Sequence, residues 1–166
     1  MAITKQKKSE IISKLKGIFT ASPAVAFVRF NRLTVANANA LRRKLREAGT
    51  GYFVAKKTLI QKSLEDTPVK GELPVLEGEV AVAYLEKGED VTAPAREIFG
   101  FEKKLEKAVQ LIGGIFEGKF IGGKEILSLA MIPSRQTLLA QFVNLINSPI
   151  QRFVIGLSEV AKTKQQ

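Results

Sequence analysis

The chain contains 166 residues, of which 45% are hydrophobic and 25% are charged, so it is long enough for one domain with a sizeable core and an appendage. It has no cysteine and no histidine, which excludes disulfides, thiolate metal sites and the commonest general base. No apolar run approaches the ~20 residues of a membrane helix, and the N-terminus lacks the apolar core of a signal peptide. We therefore expect a cytoplasmic protein without membrane contacts.

The net charge of +10 is concentrated at one end of the chain. Residues 1–62 contain 14 Lys and Arg residues but only 2 acidic residues, whereas residues 63–166 contain 12 and 14. A chain with this asymmetry is expected to bind a polyanion through its basic end. Nucleic acid is the first expectation, and an anionic membrane surface is a weaker one.

Helices and strands are predicted to alternate through the first 130 residues. The caps, breakers and apolar spacing first predict a basic arm over 1–8, a helix from Thr4 to about Phe19, a strand over 24–30, a helix capped by Thr34 and closed by Gly49, a strand over 52–55 and a short helix to Leu64. A Pro- and Gly-rich loop over 68–78 follows, then a strand over 79–85 and a helix around 94–99 that Asp90 could cap and that could continue to Leu105. The last predicted elements are a strand over 109–116 broken by Gly113 and Gly114, its hairpin partner over 118–122, and a short helix over 124–130.

This order of elements predicts an α/β fold of the α+β, two-layer kind, in which helices pack on a small sheet. We expect residues 1–131 to form a compact globular domain. Residues 132–166 are expected to form a long projecting helix.

The residues from Pro133 to Lys162 have the periodicity of one amphipathic helix. At 1.5 Å per residue such a helix spans about 45 Å, more than the ~30 Å width of a small domain, so the chain cannot bury the whole apolar stripe itself. Pro149 divides the stripe into two segments of about three turns, each a reasonable footprint for one helix-in-groove contact. The residues predicted to bind a partner are Leu138, Leu139, Phe142, Leu145, Ile146, Ile150, Phe153, Val154 and Leu157. Packing within the domain, or a coiled coil, is the alternative.

Basic residues cluster where the first two predicted strands end. If these strands run in the same direction, their ends converge at one edge of the sheet. Arginine suits forked contacts with phosphate oxygens, and lysine supplies point charge. Few exposed aromatic residues are evident, which favours the backbone of structured RNA over stacked single-stranded bases. The candidate RNA-binding residues are Lys5, Lys7, Lys8, Arg29, Arg32, Arg42, Arg43, Arg46, Lys56 and Lys57.

No residue pattern predicts catalysis, a metal site or a cofactor. Glu77 with Glu79, or Glu89 with Asp90, are the closest carboxylate pairs, and solvated loop charges account for them. Residues 118–124 match the glycine and lysine spacing of a phosphate-binding loop, but Glu125 stands where a Ser or Thr should hold magnesium. Hairpin turns are the better interpretation of these glycines.

Three segments resemble the N-terminal signature of the bacterial ribosomal stalk-base protein family, ribosomal protein L-ten. They are residues 30–34 (FNRLT), 41–46 (LRRKLR) and 54–59 (VAKKTL). Residues 76–81 (LEGEVA) and 129–134 (LAMIPS) resemble two later segments, so the similarity runs in order through nearly the whole chain. The chain departs from the family's usual pattern at Arg32, where glycine is usual, and at Lys57, where asparagine is usual.

The resemblance implies a non-enzymatic ribosomal protein with a two-layer α/β domain. In that family the domain holds large-subunit rRNA of the factor-binding region next to protein L-eleven. The terminal helix carries dimers of the acidic stalk protein L-seven/L-twelve, which recruit translational GTPases; two segments predict two dimers. The alternatives are a free-standing structured-RNA-binding module that homodimerises through the terminal helix, and a nucleotide-dependent enzyme that uses the glycine segment.

Overall fold

The computed structural model describes residues 4–65, 67, 69–71, 74, 76–87, 90–104 and 108–164. In the order of the chain, its elements are α1 (Lys5–Ala21), β1 (Ala24–Phe30), α2 (Val35–Glu47), β2 (Thr50–Val54), α3 (Lys57–Glu65), β3 (Glu79–Leu85), α4 (Ala93–Lys104), β4 (Val109–Phe116), β5 (Lys119–Gly122), α5 (Gly123–Ala130) and α6 (Arg135–Lys164).

The strands form one sheet in the order β2-β3-β1-β4-β5, and every neighbouring pair is antiparallel. Because β1 and β2 are both antiparallel to β3, they run in the same direction. The expected convergence of their C-terminal ends is therefore present, with the N-terminal end of β3 between them. Phe30 at the end of β1 pairs with Glu79 at the start of β3.

Helices cover both faces of the sheet. Side chains from α2, α4 and α5 form one buried cluster, which includes Leu41, Leu45 and Ile98. Side chains from α1 and α3 form the second, around Leu15 and Ile60. The α+β class is confirmed, and the compact unit has three layers rather than the two that the elements and the resemblance implied. A sheet covered on both faces requires strands that are apolar on both sides, as β1 is.

Strand β4 is continuous, so the prediction that two glycines break it was wrong. A Cβ on Gly113 would lie 2.7 Å from the carbonyl oxygen of Ile121, and one on Gly114 would lie 2.8 Å from Cδ1 of Ile126. Glycine is needed here because β1, β5 and α5 pack closely against the strand, and not because the chain turns. The pairing with β1 shifts by one residue at Ile112, which makes a β-bulge.

Two of the predicted helix caps are confirmed. The Thr34 hydroxyl accepts a hydrogen bond from the Asn37 amide at 3.3 Å at the start of α2. Gly49 follows the end of that helix with a left-handed φ of 68°. Thr4 precedes α1 as predicted, but its side chain makes no capping hydrogen bond.

An ion-pair network joins α2 to α4. Asp90 accepts hydrogen bonds from the amide and hydroxyl of Thr92, and its carboxylate lies 2.7 Å from Nη1 of Arg96. Nζ of Lys44 lies 3.3 Å from Oε2 of Glu97. Burial alone would raise the pKa of Asp90, but the hydrogen bonds from Thr92 and Arg96 and the charge of Arg96 together lower it below 3.8.

The chain divides into two compact units, one up to Ile132 and one from Pro133 onward. The second unit consists of α6, a helix of 30 residues. Within the described residues, no helix combines the length and the apolar character needed to cross a bilayer.

Candidate RNA interface and exposed terminal helix

The basic candidate residues of β1 and β2 lie at the sheet end where these strands finish. Two open grooves meet there, and they share Phe30, Val54 and Glu79. Groove A, of about 820 Å³, is lined by Ile11, Phe30, Val54, Ala55, Lys56, Lys57, Thr58, Leu59, Gly78, Glu79 and Val80. Groove B, of about 390 Å³, is lined by Phe30, Arg32, Leu33, Ala38, Leu41, Arg42, Tyr52, Val54 and Glu79.

Groove A carries the cations of the β2–α3 junction. Lys56 and Lys57 are exposed and stand immediately before and at the first residue of α3. Lys7 and Lys8 are exposed one helical turn before Ile11, which also lines this groove. The side chain of Lys5 lies outside the described part of the chain.

Groove B carries the cations of the β1–α2 junction. Arg32 is exposed, and its φ of 50° is left-handed, a conformation that costs a non-glycine residue about 1–2 kcal/mol. Glycine, which the resemblance implies is usual at this position, adopts this geometry without that cost. The guanidinium carbon of Arg42 lies 6.0 Å from the ring centre of Tyr52, within the range of a cation–π contact.

Two other candidate arginines, Arg29 and Arg43, form ion pairs and are therefore less available to a ligand than Arg46. Nη1 of Arg29 lies 3.5 Å from Oε2 of Glu77, and Nε of Arg43 lies 3.2 Å from Oε1 of Glu47. Both are surface ion pairs, worth at most about 1 kcal/mol, so a phosphate can replace the carboxylate. Among the described residues, no ion pair involves Arg32, Arg42, Arg46, Lys56 or Lys57.

Sequence reasoning did not place Tyr52 in the site, and it considered Glu79 only as a member of a carboxylate pair. Burial raises the pKa of Tyr52 to about 12, while the charge of Arg42 opposes that rise, so the phenol stays neutral at physiological pH. Glu79 is an exposed carboxylate in the middle of the basic sheet end. The alternation of β2 is the signal that could have placed Tyr52 beside α2.

The apolar side chains of α6 are open to solvent. All nine residues predicted to bind a partner are 43–69% exposed, and so are Val143, Ile155 and Val160. In a folded domain side chains of this kind are usually buried, and a contiguous exposed set marks an interaction site.

Helix α6 continues through Pro149 because a side chain replaces the lost backbone donor. Proline has no amide hydrogen for the carbonyl four residues earlier, which belongs to Leu145. The hydroxyl of Ser148 donates to that carbonyl oxygen at 2.9 Å. The Leu145 carbonyl therefore keeps a hydrogen-bond donor at the junction of the two apolar segments.

The glycine segment forms a hairpin and a helix start. Glu117 and Gly118 have φ values of 50° and 74°, as in the two-residue type I′ turn that joins antiparallel strands. The carboxylate of Glu125 accepts a hydrogen bond from the Gly122 amide at 3.1 Å, so it occupies the helix terminus where a phosphate would bind. Of the carboxylate pairs, Glu77 pairs with Arg29, Asp90 pairs with Arg96, and Glu89 lies outside the described residues.

The fold and the site together are those of a binding protein with a basic surface and a separate apolar helix. The family model for ribosomal protein L10 matches residues 3–103. Large ribosomal subunit protein uL10 of Staphylococcus haemolyticus is 33% identical over 98% of this chain and 93% of that protein. The uL10 proteins of Pelotomaculum thermopropionicum and Bacillus cereus are 32% and 30% identical, over 99% and 100% of this chain and 98% of each of those proteins. This chain belongs to the ribosomal protein L10 family, a family of structural proteins without enzymatic activity.

Proposed function

We propose that the chain is a structural protein of the large ribosomal subunit that forms the base of its stalk. The sheet end binds rRNA of the factor-binding region next to protein L-eleven. Helix α6 carries dimers of the acidic stalk protein L-seven/L-twelve, which recruit translational GTPases. The observation that carries the proposal is the separation of two binding surfaces, because the free cations lie in the first unit and the exposed apolar stripe lies in the second.

Charge and exposure support the RNA-binding half of the proposal. The chain has a net charge of +10, and free cations line both grooves at the sheet end. Each phosphate that a cation neutralises releases counterions, so the logarithm of the affinity falls with the logarithm of the salt concentration. The slope of that dependence counts the cations that take part.

Two double variants test the sheet end, with an rRNA fragment of the factor-binding region as ligand. Lys56→Ala with Lys57→Ala removes the cations of groove A, and Lys119→Ala with Lys124→Ala removes the same charge from β5 and α5. The first should weaken binding and reduce the salt slope by about 2, whereas the control should leave the slope near that of the unmodified chain. Equal slopes in the two variants would place the interface elsewhere.

The length and exposure of α6 support two partner segments. Each segment offers four or five large apolar side chains, and each buried side chain contributes roughly 1.5–3 kcal/mol before the costs of ordering. Two short helical contacts can therefore be tight, and the Ser148 hydrogen bond keeps the helix continuous between them.

Native mass spectrometry of the complex with the acidic stalk protein tests the number of segments. We expect two dimers per chain, and one after Phe142→Asp or Phe153→Asp, each of which places a charge in one segment. Asn144→Asp adds the same charge at a polar position and should leave two. Three dimers would refute the two-segment proposal. A homodimer that does not bind the stalk protein would favour the alternative function, a free-standing RNA-binding module.

A further inference from the structure

We propose that groove B binds one unpaired nucleobase of the RNA, and that it prefers guanine. The inference rests on the proposed function, since it specifies how the RNA-binding surface recognises its ligand. The nucleobase enters between Arg42 and the side chains of Phe30 and Leu33, while the phosphates on either side contact Arg32 and the cations of groove A.

The lining of groove B suits a nucleobase better than a row of phosphates. Phe30, Leu33, Ala38, Leu41 and Val54 supply apolar surface beside two guanidinium groups. Phosphates gain nothing from apolar walls, whereas the flat faces of bases pack against them. The groove thus matches a nucleotide, in which a charged and an apolar part lie side by side.

Arg42 supplies the stacking surface. Its side chain is exposed, and the guanidinium carbon lies 6.0 Å from the centre of the Tyr52 ring. Guanidinium planes stack on unpaired bases in RNA complexes, so a base that enters groove B can stack on the guanidinium of Arg42. A phenol is neutral at physiological pH, and burial raises the pKa of Tyr52 further, to about 12, so no phenolate compensates the charge of Arg42.

Glu79 gives the site its preference. Its exposed carboxylate forms no ion pair with any described residue, although two arginines line the same groove. Opposite a phosphate it would oppose binding, but an ionised carboxylate is purely an acceptor and suits N–H groups. The Watson–Crick edge of guanine offers two adjacent N–H donors, at N1 and N2, whereas adenine places an acceptor at N1 beside its single amino group.

Three RNA hairpins of one stem sequence test the inference, with the full chain at low salt. One hairpin has a single unpaired guanosine, one has an unpaired adenosine in its place, and one is fully paired. We expect about tenfold tighter binding of the guanosine hairpin than of the paired one, the range that one stacked base supplies, with adenosine between them. Equal affinity for all three would overturn the inference and leave the proposed function standing. Absence of binding to any hairpin would also overturn the inference, while binding to the rRNA fragment of the factor-binding region decides the proposed function separately.

Two phenylalanine variants on α2 separate the pocket from the charge. Ala38→Phe fills groove B without altering any charge, and it should abolish the preference for the unpaired guanosine while the affinity for the paired hairpin and the salt slope are unchanged. Ala40→Phe places the same ring on an exposed position of the same helix and should retain the preference. Glu79→Gln should bring the guanosine and adenosine hairpins within twofold of each other. A preference that survives Ala38→Phe in a folded protein would refute the pocket.

Discussion

Replacing Arg32 by glycine should stabilise the protein and weaken its binding to RNA. The left-handed φ of 50° at this residue costs about 1–2 kcal/mol for a side chain with a Cβ, and glycine adopts it without that cost. Glycine also loses more backbone entropy on folding, by roughly 0.5–1 kcal/mol, which offsets part of the gain. The net stabilisation is therefore about 0.5–1 kcal/mol.

Urea unfolding measures this difference. With a slope of about 1–3 kcal/mol per molar urea, the midpoint should rise by roughly 0.2–1 M in Arg32→Gly. The same variant should reduce the salt slope of rRNA binding by about 1, because one phosphate contact is lost.

Arg32→Ala is the matched control. It removes the same charge but keeps a Cβ at the left-handed position, so it should lose RNA affinity equally and gain no stability. If both variants gain stability, or if Arg32→Gly unfolds at lower urea than the unmodified chain, the strain argument is wrong. An unchanged salt slope would remove Arg32 from the interface.

Three further predictions concern the scaffold. Ser148→Ala leaves the Leu145 carbonyl without its donor, and hydrogen exchange should accelerate around that turn by roughly 5-fold, as expected for a loss of about 1 kcal/mol. Gly114→Ala should destabilise the first unit by about 1–3 kcal/mol through overpacking, whereas Gly122→Ala, with nothing within 4 Å of its new methyl group, should be close to neutral in thermal unfolding. The pKa of Asp90 is lower in the folded protein, so the ionised carboxylate stabilises the fold above pH 3.8. This stabilisation is lost as the pH falls through the folded-state pKa. The difference in the free energy of unfolding between the unmodified chain and Asp90→Asn should therefore shrink over that acidic range.

Local sequence patterns predicted most of the helices and strands, because each pattern depends on residues only a few positions apart. The period of the apolar residues and the capping residues Thr34 and Gly49 placed α2 within one or two positions. The order of the strands is not local, and nothing in β1 or β2 indicates that β3 lies between them. The unbroken apolar run of β1 did carry the signal for a sheet covered on both faces.

The sequence predicted which basic residues belong to the candidate site, but not the grooves in which they lie. The basic residues stand out by composition, and the structure brings four of them to one end of the sheet, namely Arg32, Arg42, Lys56 and Lys57. The sequence did not show which of the other basic residues form ion pairs, because contacts such as Arg29 with Glu77 join residues that are distant in sequence. The pair Arg43 and Glu47 is spaced by four along a helix, and that spacing would have revealed it.

Helix α6 also determines what happens to a copy made in excess. Its large apolar side chains are more than two-fifths exposed, and a proline lies near the middle of its 30 residues. An isolated amphipathic helix of this kind gains little stability from its own sequence, since packing against a partner supplies most of it. If α6 binds a partner as proposed, an assembled copy covers this apolar surface, whereas an orphan copy leaves it open to the chaperones and proteases that act on exposed apolar chain.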